Sequence, residues 1–198
     1  MTSTDGPDPT GFRLDAAALK VLAHPLRSRL LSALRSGGPA TATDLARSLG
    51  TNSGATSYHL RKLESVGLVA DTGGGQGRRR LWRAATESHR WTVSDFAGDD
   101  DSETALNWLL RDYSRQLGRR FERWLDVEGS WPVQWRDAAG MSDYVVLATP
   151  AQAEAFGTEL DQLVAKYRAA GQGQPDAMRL SVHSVIYPTD LDAPPRAR

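Results

Sequence analysis

The stretch from Thr43 to Val69, TDLARSLGTNSGATSYHLRKLESVGLV, decides the fold of the N-terminal half of this 198-residue chain. Its first part predicts a short amphipathic helix that ends at Gly50, a residue suited to the left-handed conformation at helix ends. After one further residue, Asn52 or Ser53 offers the N-cap of a second helix, which runs to Gly67. Two helices separated by a tight glycine turn are typical of a helix-turn-helix motif.

The second helix of this motif has one apolar and one polar face. Thr56, His59, Leu60 and Leu63 share one side, where we expect packing against a core. The opposite side is small and hydroxyl-bearing in its first turns and basic further along. Its members are Ser53, Gly54, Ser57, Tyr58, Arg61 and Lys62. This face suits the DNA major groove, since small residues admit the backbone, hydroxyls and long donors reach base edges, and cations meet phosphates.

Helices precede the motif and a hairpin follows it. Residues 14–23 and 25–37 predict two helices that meet at a sharp corner before Pro25. After the motif, residues 68–70 and 80–83 are short candidate strands on either side of the glycine-rich segment 72–77. Such a hairpin is a β-wing. It carries three consecutive arginines at Arg78, Arg79 and Arg80.

The charge of the chain is zero overall but strongly divided. Residues 12–90 hold 13 Lys/Arg against five Asp/Glu, a net charge of +8, whereas residues 91–198 carry a net charge of −6. A basic segment beside an acidic one suggests a polyanionic partner for one half only. The alternative from charge alone is chance variation between two solvated surfaces.

The motif resembles the winged helix-turn-helix regulators of the ArsR type. The resemblance covers about residues 14–83 and includes the segment Ala23–Arg27 (AHPLR), the His-Leu pair within the second helix, Gly-Leu-Val entering the wing, and the arginines after its tip. It implies a homodimer on a near-palindromic operator, with recognition helices in successive major grooves and wings against the flanking backbone or minor groove. Thr43 and Ala55 complete the set of predicted DNA contacts.

The chain departs from the metal-sensing members of that family. It has no cysteine, and its four histidines show no paired spacing on a helix. We expect neither a metal site nor a cofactor. Without cysteine there is also no disulfide, iron–sulfur cluster or Cys nucleophile. Catalytic motifs such as G-x-S-x-G and H-E-x-x-H are missing from the sequence, and we expect no enzyme.

A composition break at Gly98–Asp101 marks the predicted domain boundary. We expect a winged helix-turn-helix domain at residues 12–92 and a dimerisation region at 99–198. In the second region, residues 102–128 predict one helix about 40 Å long, more than a domain of this size can cover by itself. Its apolar stripe is the predicted dimer interface: Leu106, Leu110, Tyr113, Leu117, Phe121 and Trp124.

The remainder predicts a small α/β region. Residues 143–148 (DYVVLA) and 178–187 (MRLSVHSVIY) read as strands. Between them, Thr149 and Gln152 form a capping box, with Pro150 at the first position of a helix. We expect the apolar residues of this helix to point inward: Phe156, Leu160, Leu163, Val164 and Tyr167. The fold class is therefore α+β, mainly helical, and a small organic ligand or a protein is an open candidate partner of this region.

The sequence thus predicts a dimeric, sequence-specific DNA-binding transcriptional regulator. Two other functions stay open: a winged helix used for protein contacts, and an architectural protein that binds every duplex alike. No apolar run approaches the roughly 20 residues needed to cross a bilayer, and the first ten residues lack the pattern of a signal peptide. We therefore expect a cytoplasmic protein with no membrane partner.

Overall fold

The structure is a computed structural model that describes residues 12–75 and 79–192. The chain forms two compact units, the first reaching Trp131 and the second beginning at Pro132. The predicted boundary lies between residues 92 and 99, whereas this division falls between residues 131 and 132. The long helix belongs to the first unit because Leu106 and Leu109 pack into the same core as the preceding helices.

The first unit is mainly helical. Its helices are α1 (Ala16–Leu22), α2 (Pro25–Gly37), α3 (Ala42–Leu49), α4 (Ser53–Glu64) and α5 (Asp100–Val127). Side chains cap the first four helices at their N-termini, where backbone N–H groups would otherwise lack partners. The capping residues are Asp15, His24, Thr41 and Asn52. The helices therefore begin where the sequence predicts them, to within about two residues.

Five short strands complete this unit: β1 (Phe12–Arg13), β2 (Ala40–Thr41), β3 (Val69–Asp71), β4 (Leu81–Ala84) and β5 (His89–Arg90). The hairpin of β3 and β4 is antiparallel, and β2 joins β4 on its other side. β1 pairs in parallel with β5. The predicted wing is thus the β3–β4 hairpin of a three-stranded sheet.

One apolar core holds the first unit together. Leucines from α1, α2, α4 and α5 meet in it, and Trp82 of the wing and Phe96 close its edges. The fully buried side chains include Leu19, Leu30, Leu60 and Leu109. Burying each such side chain stabilises the folded state by about 1.5–3 kcal/mol relative to leaving it exposed. The core fixes α4 against the helices behind it.

A buried polar network joins α5 to α2. The Ser28 hydroxyl donates to an Asp112 carboxylate oxygen at 2.8 Å, and the Gln116 amide donates to both of these groups. One turn further along, Arg120 donates to the Ser32 hydroxyl at 2.6 Å. The long helix is therefore held against the helix-turn-helix by specific hydrogen bonds as well as by apolar contacts.

The second unit contains two helices, α6 (Val133–Ala138) and α7 (Pro150–Tyr167). The predicted capping box is confirmed, since the Thr149 hydroxyl accepts the backbone N–H of Gln152 and the Gln152 side-chain oxygen accepts the backbone N–H of Thr149. The sequence therefore predicts the start of α7 correctly. The helix ends near Tyr167, a few residues before the predicted stop at Gly171.

The predicted strands of the second unit are wrong. Residues 143–148 and 178–187 contain neither helix nor strand, and they pair with no strand of the described residues. The inward face predicted for α7 is likewise uncovered, with Phe156, Leu163 and Tyr167 all exposed. No described residue of this unit, 132–192, is buried.

The fold class, α+β and mainly helical, is confirmed, and its strands lie in the first unit. Across residues 12–75 and 79–192, no helix is long and apolar enough to cross a membrane.

Candidate nucleic-acid interface

The geometry of the helix-turn-helix follows from two caps and one glycine. The Thr41 hydroxyl accepts the Asp44 backbone N–H at the start of α3, and the Asn52 side chain accepts that of Ala55 at the start of α4. Between the helices, Gly50 has a φ of 63°, a conformation that costs glycine little and other residues more. The turn therefore needs only three residues to reverse the chain into α4.

The buried side of α4 anchors it. Thr56, Leu60 and Leu63 are buried, as the sequence predicts, and the Thr56 hydroxyl bonds back to the Asn52 carbonyl. His59, also predicted on this side, is only partly buried. The opposite face of the helix is consequently held in a fixed orientation.

The predicted contact residues of α4 lie together on that opposite face. Ser53, Gly54, Tyr58, Arg61 and Lys62 are exposed, whereas Ala55 and Ser57 are partly buried. Thr43 is exposed on α3. The Tyr58 side chain is 55% exposed, and the Lys62 ammonium lies 5.8 Å from the centre of its ring. The face thus presents hydroxyl groups, one aromatic ring and two cations.

The wing arginines differ from one another. Arg79 and Arg80 are exposed, and Arg78 falls outside the described residues. Arg80 lies 3.4 Å from a Glu64 carboxylate oxygen and 3.5 Å from one of Asp71, and it stacks on Trp82. Arg79 takes part in none of the ion pairs of the described chain. Sequence reasoning treated the two residues alike, because the spacing of the sequence does not show that Glu64 and Asp71 lie beside Arg80.

A carboxylate also lies near the interface, at Asp44 on α3. The hydrogen bond from the Thr41 hydroxyl, followed by the charges of Arg47 and Arg79, holds the pKa of this carboxyl below its usual value. Asp44 is therefore ionised at neutral pH. It places one negative charge on α3, the first helix of the motif.

The residues of the predicted dimer stripe on α5 differ in how deeply they are buried. Leu106 is only 6% exposed and packs into the core of its own chain, which removes it from the exposed stripe. Leu110 is 43% exposed, and the remaining members are partly buried: Tyr113, Leu117, Phe121 and Trp124. The Trp124 ring meets the Trp131 ring edge-on, with 5.3 Å between their centres.

Tyr113 belongs to a polar cluster that sequence reasoning missed. Its hydroxyl lies 2.7 Å from Nε2 of His89, and the Arg35 guanidinium donates to Nδ1 of the same ring. Because arginine can only donate, neutral His89 carries its proton on Nε2. Burial, followed by the charge of Arg35, lowers the pKa of His89 to about 3, and burial lowers that of Arg35 to about 10. The cluster ties α2, β5 and α5 together.

The described residues contain no group of three His, Cys, Asp or Glu side chains that could hold a metal ion.

The N-terminal region is similar to known proteins. A helix-turn-helix domain family matches residues 22–72. The HTH-type transcriptional regulator NmtR of Mycobacterium tuberculosis is 41% identical over 61 residues, which is 31% of this chain and 50% of that protein. The matched residues are therefore similar to the helix-turn-helix domain of a transcriptional regulator. The resemblance stated from the sequence is confirmed for this domain.

A solved structure is also similar to part of this chain. It is the homodimeric winged helix-turn-helix DNA-binding domain of a possible ArsR-family transcriptional regulator from Mycobacterium bovis, with 32% sequence identity. The match covers 36% of this chain and 64% of that chain, with a TM-score of 0.33. This chain spans about half the length of the curated relative that it matches.

Proposed function

We propose that this protein is a sequence-specific DNA-binding transcriptional regulator, with α4 lying in the major groove. The observation that carries the proposal is the outward face of α4, which is polar, partly basic and not covered by any described part of the chain. A solvated helix face accounts for Arg61 and Lys62 on their own. It does not account for Ser53, Gly54 and Tyr58 beside a capped turn and an arginine-bearing wing.

The electrostatics of the N-terminal region support the same function. Residues 12–90 carry a net charge of +8, which favours association with a polyanion such as the phosphate backbone. Glu64, at the end of α4, is paired with Arg80. The one acid of α4 is thus paired with a cation of the wing.

The two described wing arginines take different roles in this proposal. Arg79, which has no ion pair in the described chain, contacts a backbone phosphate or the minor groove. Arg80 holds the wing to α4 through Glu64 and Asp71, and its loss would leave two carboxylates facing the DNA. Arg79 therefore contributes directly to affinity, whereas Arg80 contributes through the position and charge of the wing.

We further propose a homodimer on a near-palindromic operator, formed through the exposed stripe of α5. Leu110, Leu117, Phe121 and Trp124 supply its apolar side chains, of which Leu110 is exposed and the others are partly buried. A symmetric pair would present two copies of α4 to successive major grooves, about 34 Å apart. The proposed DNA contacts are then Thr43, Ser53, Gly54, Ser57, Tyr58, Arg61, Lys62 and the wing.

Selection from random duplexes tests the function directly. We expect enrichment of a sequence with two related half-sites, about 10 base pairs between their centres. Duplexes enriched without any sequence preference would identify an architectural binder. No enrichment above background would instead leave the winged helix as a protein-contact module.

Variants of α4 and the wing separate base reading from phosphate contact. Ser57→Ala and Tyr58→Phe should change which sequence is selected, because they alter groups that face the bases. Arg79→Ala should weaken binding to all sequences and lower the slope of log K against log salt by roughly one. An unchanged sequence preference in both α4 variants would refute the placement of α4 in the groove.

A further inference from the structure

A second polar cluster lies beside the recognition face, at the junction of α2 and α4. It consists of His24 at the N-cap of α2, Arg27 in the first turn of α2, and His59 on α4. The ring centres of the two histidines are 4.5 Å apart, and the Tyr58 ring meets His59 edge-on at 5.1 Å. The cluster therefore adjoins a residue of the proposed major-groove face.

Two polar atoms of this cluster lack partners. Nδ1 of His59 and Nε of Arg27 are buried, and neither has a hydrogen-bond partner in the described chain. Native proteins leave few buried polar groups unpaired, and each exception calls for a water, an ion or a ligand. Two such atoms at one junction indicate a place where an external acceptor completes the bonding.

The hydrogen bond of His24 leaves a second donor at the same place. Nδ1 of His24 accepts the backbone N–H of Leu26 at 3.1 Å, which caps α2. A neutral His24 must therefore carry its proton on Nε2, where it is free to donate to a partner outside the chain. The cluster thus combines one guanidinium with two imidazoles, and all three can donate to an oxyanion.

The charges around the cluster also favour an anion. Burial, followed by the charge of Arg27, lowers the pKa of His24, and burial, followed by His24 and Arg27, lowers that of His59. Burial lowers the pKa of Arg27 as well, and the interaction with Tyr58 opposes that shift. Among the described residues of α1, α2, α3 and α4, no carboxylate contributes to these histidine shifts. Among residues 12–75 and 79–192, no carboxylate forms a salt bridge with Arg27.

We propose that His24, Arg27 and His59 together form a contact site for a DNA backbone phosphate beside the recognition helix. This inference rests on the proposed DNA-binding function and adds a contact that the polar face of α4 and the wing do not provide. A phosphate offers acceptor oxygens for all three side chains and one negative charge opposite Arg27. The contact fixes the register of α4 along the groove without reading sequence.

Proton uptake follows from this contact. Both histidines have lowered pKa values and are neutral in the free protein at pH 7, whereas a phosphate within contact distance favours their charged forms. Binding then takes up protons, so the affinity for DNA rises as the pH falls toward 6. Each proton taken up corresponds to as much as about a tenfold change in affinity per pH unit.

The test uses the full chain and duplex DNA of mixed sequence, since a backbone contact does not depend on the operator. Arg27→Gln removes the cation, and the double variant His24→Asn with His59→Gln removes both imidazoles. Asparagine is chosen because it retains the N-cap of α2. Arg111→Gln, at an exposed position on α5, is the matched control for loss of one positive charge.

We expect Arg27→Gln to lower the slope of log K against log salt by roughly one, with no change for Arg111→Gln. We expect the double variant to lose the rise in affinity between pH 8 and pH 6. Thermal melting of each variant at both pH values verifies that the protein remains folded. A salt slope equal to that of wild type in Arg27→Gln, or a pH dependence that persists in the double variant, would overturn the site.

Failure of the site and failure of the proposed function are distinguishable. Wild-type protein that binds no duplex at any pH overturns both. Wild-type protein that binds DNA and selects an operator, while the Arg27 and histidine variants match it in salt slope and pH profile, overturns the phosphate site alone.

Discussion

Residues 12–131 and residues 132–192 carry similar helix signals but differ in what their apolar side chains contact. In the first unit, α1, α2, α4 and α5 share one core, with Leu60 and Leu109 fully buried. In the second unit, α7 begins with a complete capping box, yet its apolar face is exposed. Side-chain caps therefore occur in both units, whereas buried side chains occur in the first unit and in none of residues 132–192.

The difference separates two levels of structure formation. A cap satisfies N–H groups within four residues of itself, so local sequence is enough to specify it. Burial of a side chain requires another element at the right distance, and the stability of a domain comes mainly from that burial. The second unit has the local signals without the partner element.

The largest expected contrast between the units is the effect of truncating a leucine. Leu60→Ala should lower the free energy of unfolding by about 2–5 kcal/mol, because it removes a fully buried side chain and leaves a cavity. Leu147→Ala, at a fully exposed position of the second unit, should change it by less than about 0.5 kcal/mol. Chemical denaturation of both variants measures the difference.

A large loss of stability in Leu147→Ala would contradict the contrast. It would mean that residues 143–148 are covered in solution by another part of the protein or by a second copy. A dependence of that loss on protein concentration would then identify the second copy as the cover, since association stabilises only the assembled form.

The first unit was predictable because its signals agree with one another. Gly50, Asn52 and the apolar positions Leu60 and Leu63 all favour the same helix-turn-helix, and the structure contains it with the same helix starts. The predicted strands of the second unit rested on local residue patterns alone. Such a pattern forms a strand only where a neighbouring strand can pair with it, and residues 143–148 and 178–187 pair with none of the described residues.

The candidate site was only partly predictable from the sequence. The outward face of α4 follows from helical periodicity, so Ser53, Tyr58 and Lys62 were found. The pairing of Arg80 with Glu64 joins residues of different elements, and sequence spacing does not reveal it. The contact between His24 and His59 is of the same kind, since it depends on how α2 crosses α4.

His89 should make the stability of the first unit depend on pH. His89 has a pKa of about 3 in the folded protein, caused by burial and by Arg35, against about 6.5 in the unfolded chain. Below pH 6.5 the unfolded chain binds the additional proton, so this residue lowers the free energy of unfolding by about 1.4 kcal/mol per pH unit as the pH falls toward 3. Unfolding free energies from pH 7 to pH 5 measure it.

His89→Gln should reduce this pH dependence, because glutamine does not titrate, although it should also lower stability at pH 7 through the contacts of Arg35 and Tyr113. Equal pH slopes in wild type and His89→Gln would show that His89 is not a buried neutral histidine.

The smallest expected contrast concerns two threonine caps. Thr41→Ala should lower the free energy of unfolding by about 1 kcal/mol, because α3 packs into the cooperative core and its first turn would lose the bond to the Asp44 backbone. Thr149→Ala removes the same kind of bond from α7, whose exposed face makes its unfolding a local event. It should reduce helical circular dichroism slightly and leave the main denaturation midpoint unchanged. Equal shifts of that midpoint in both variants would show that α7 unfolds together with the core, and the division at Trp131 would then not separate two independent units.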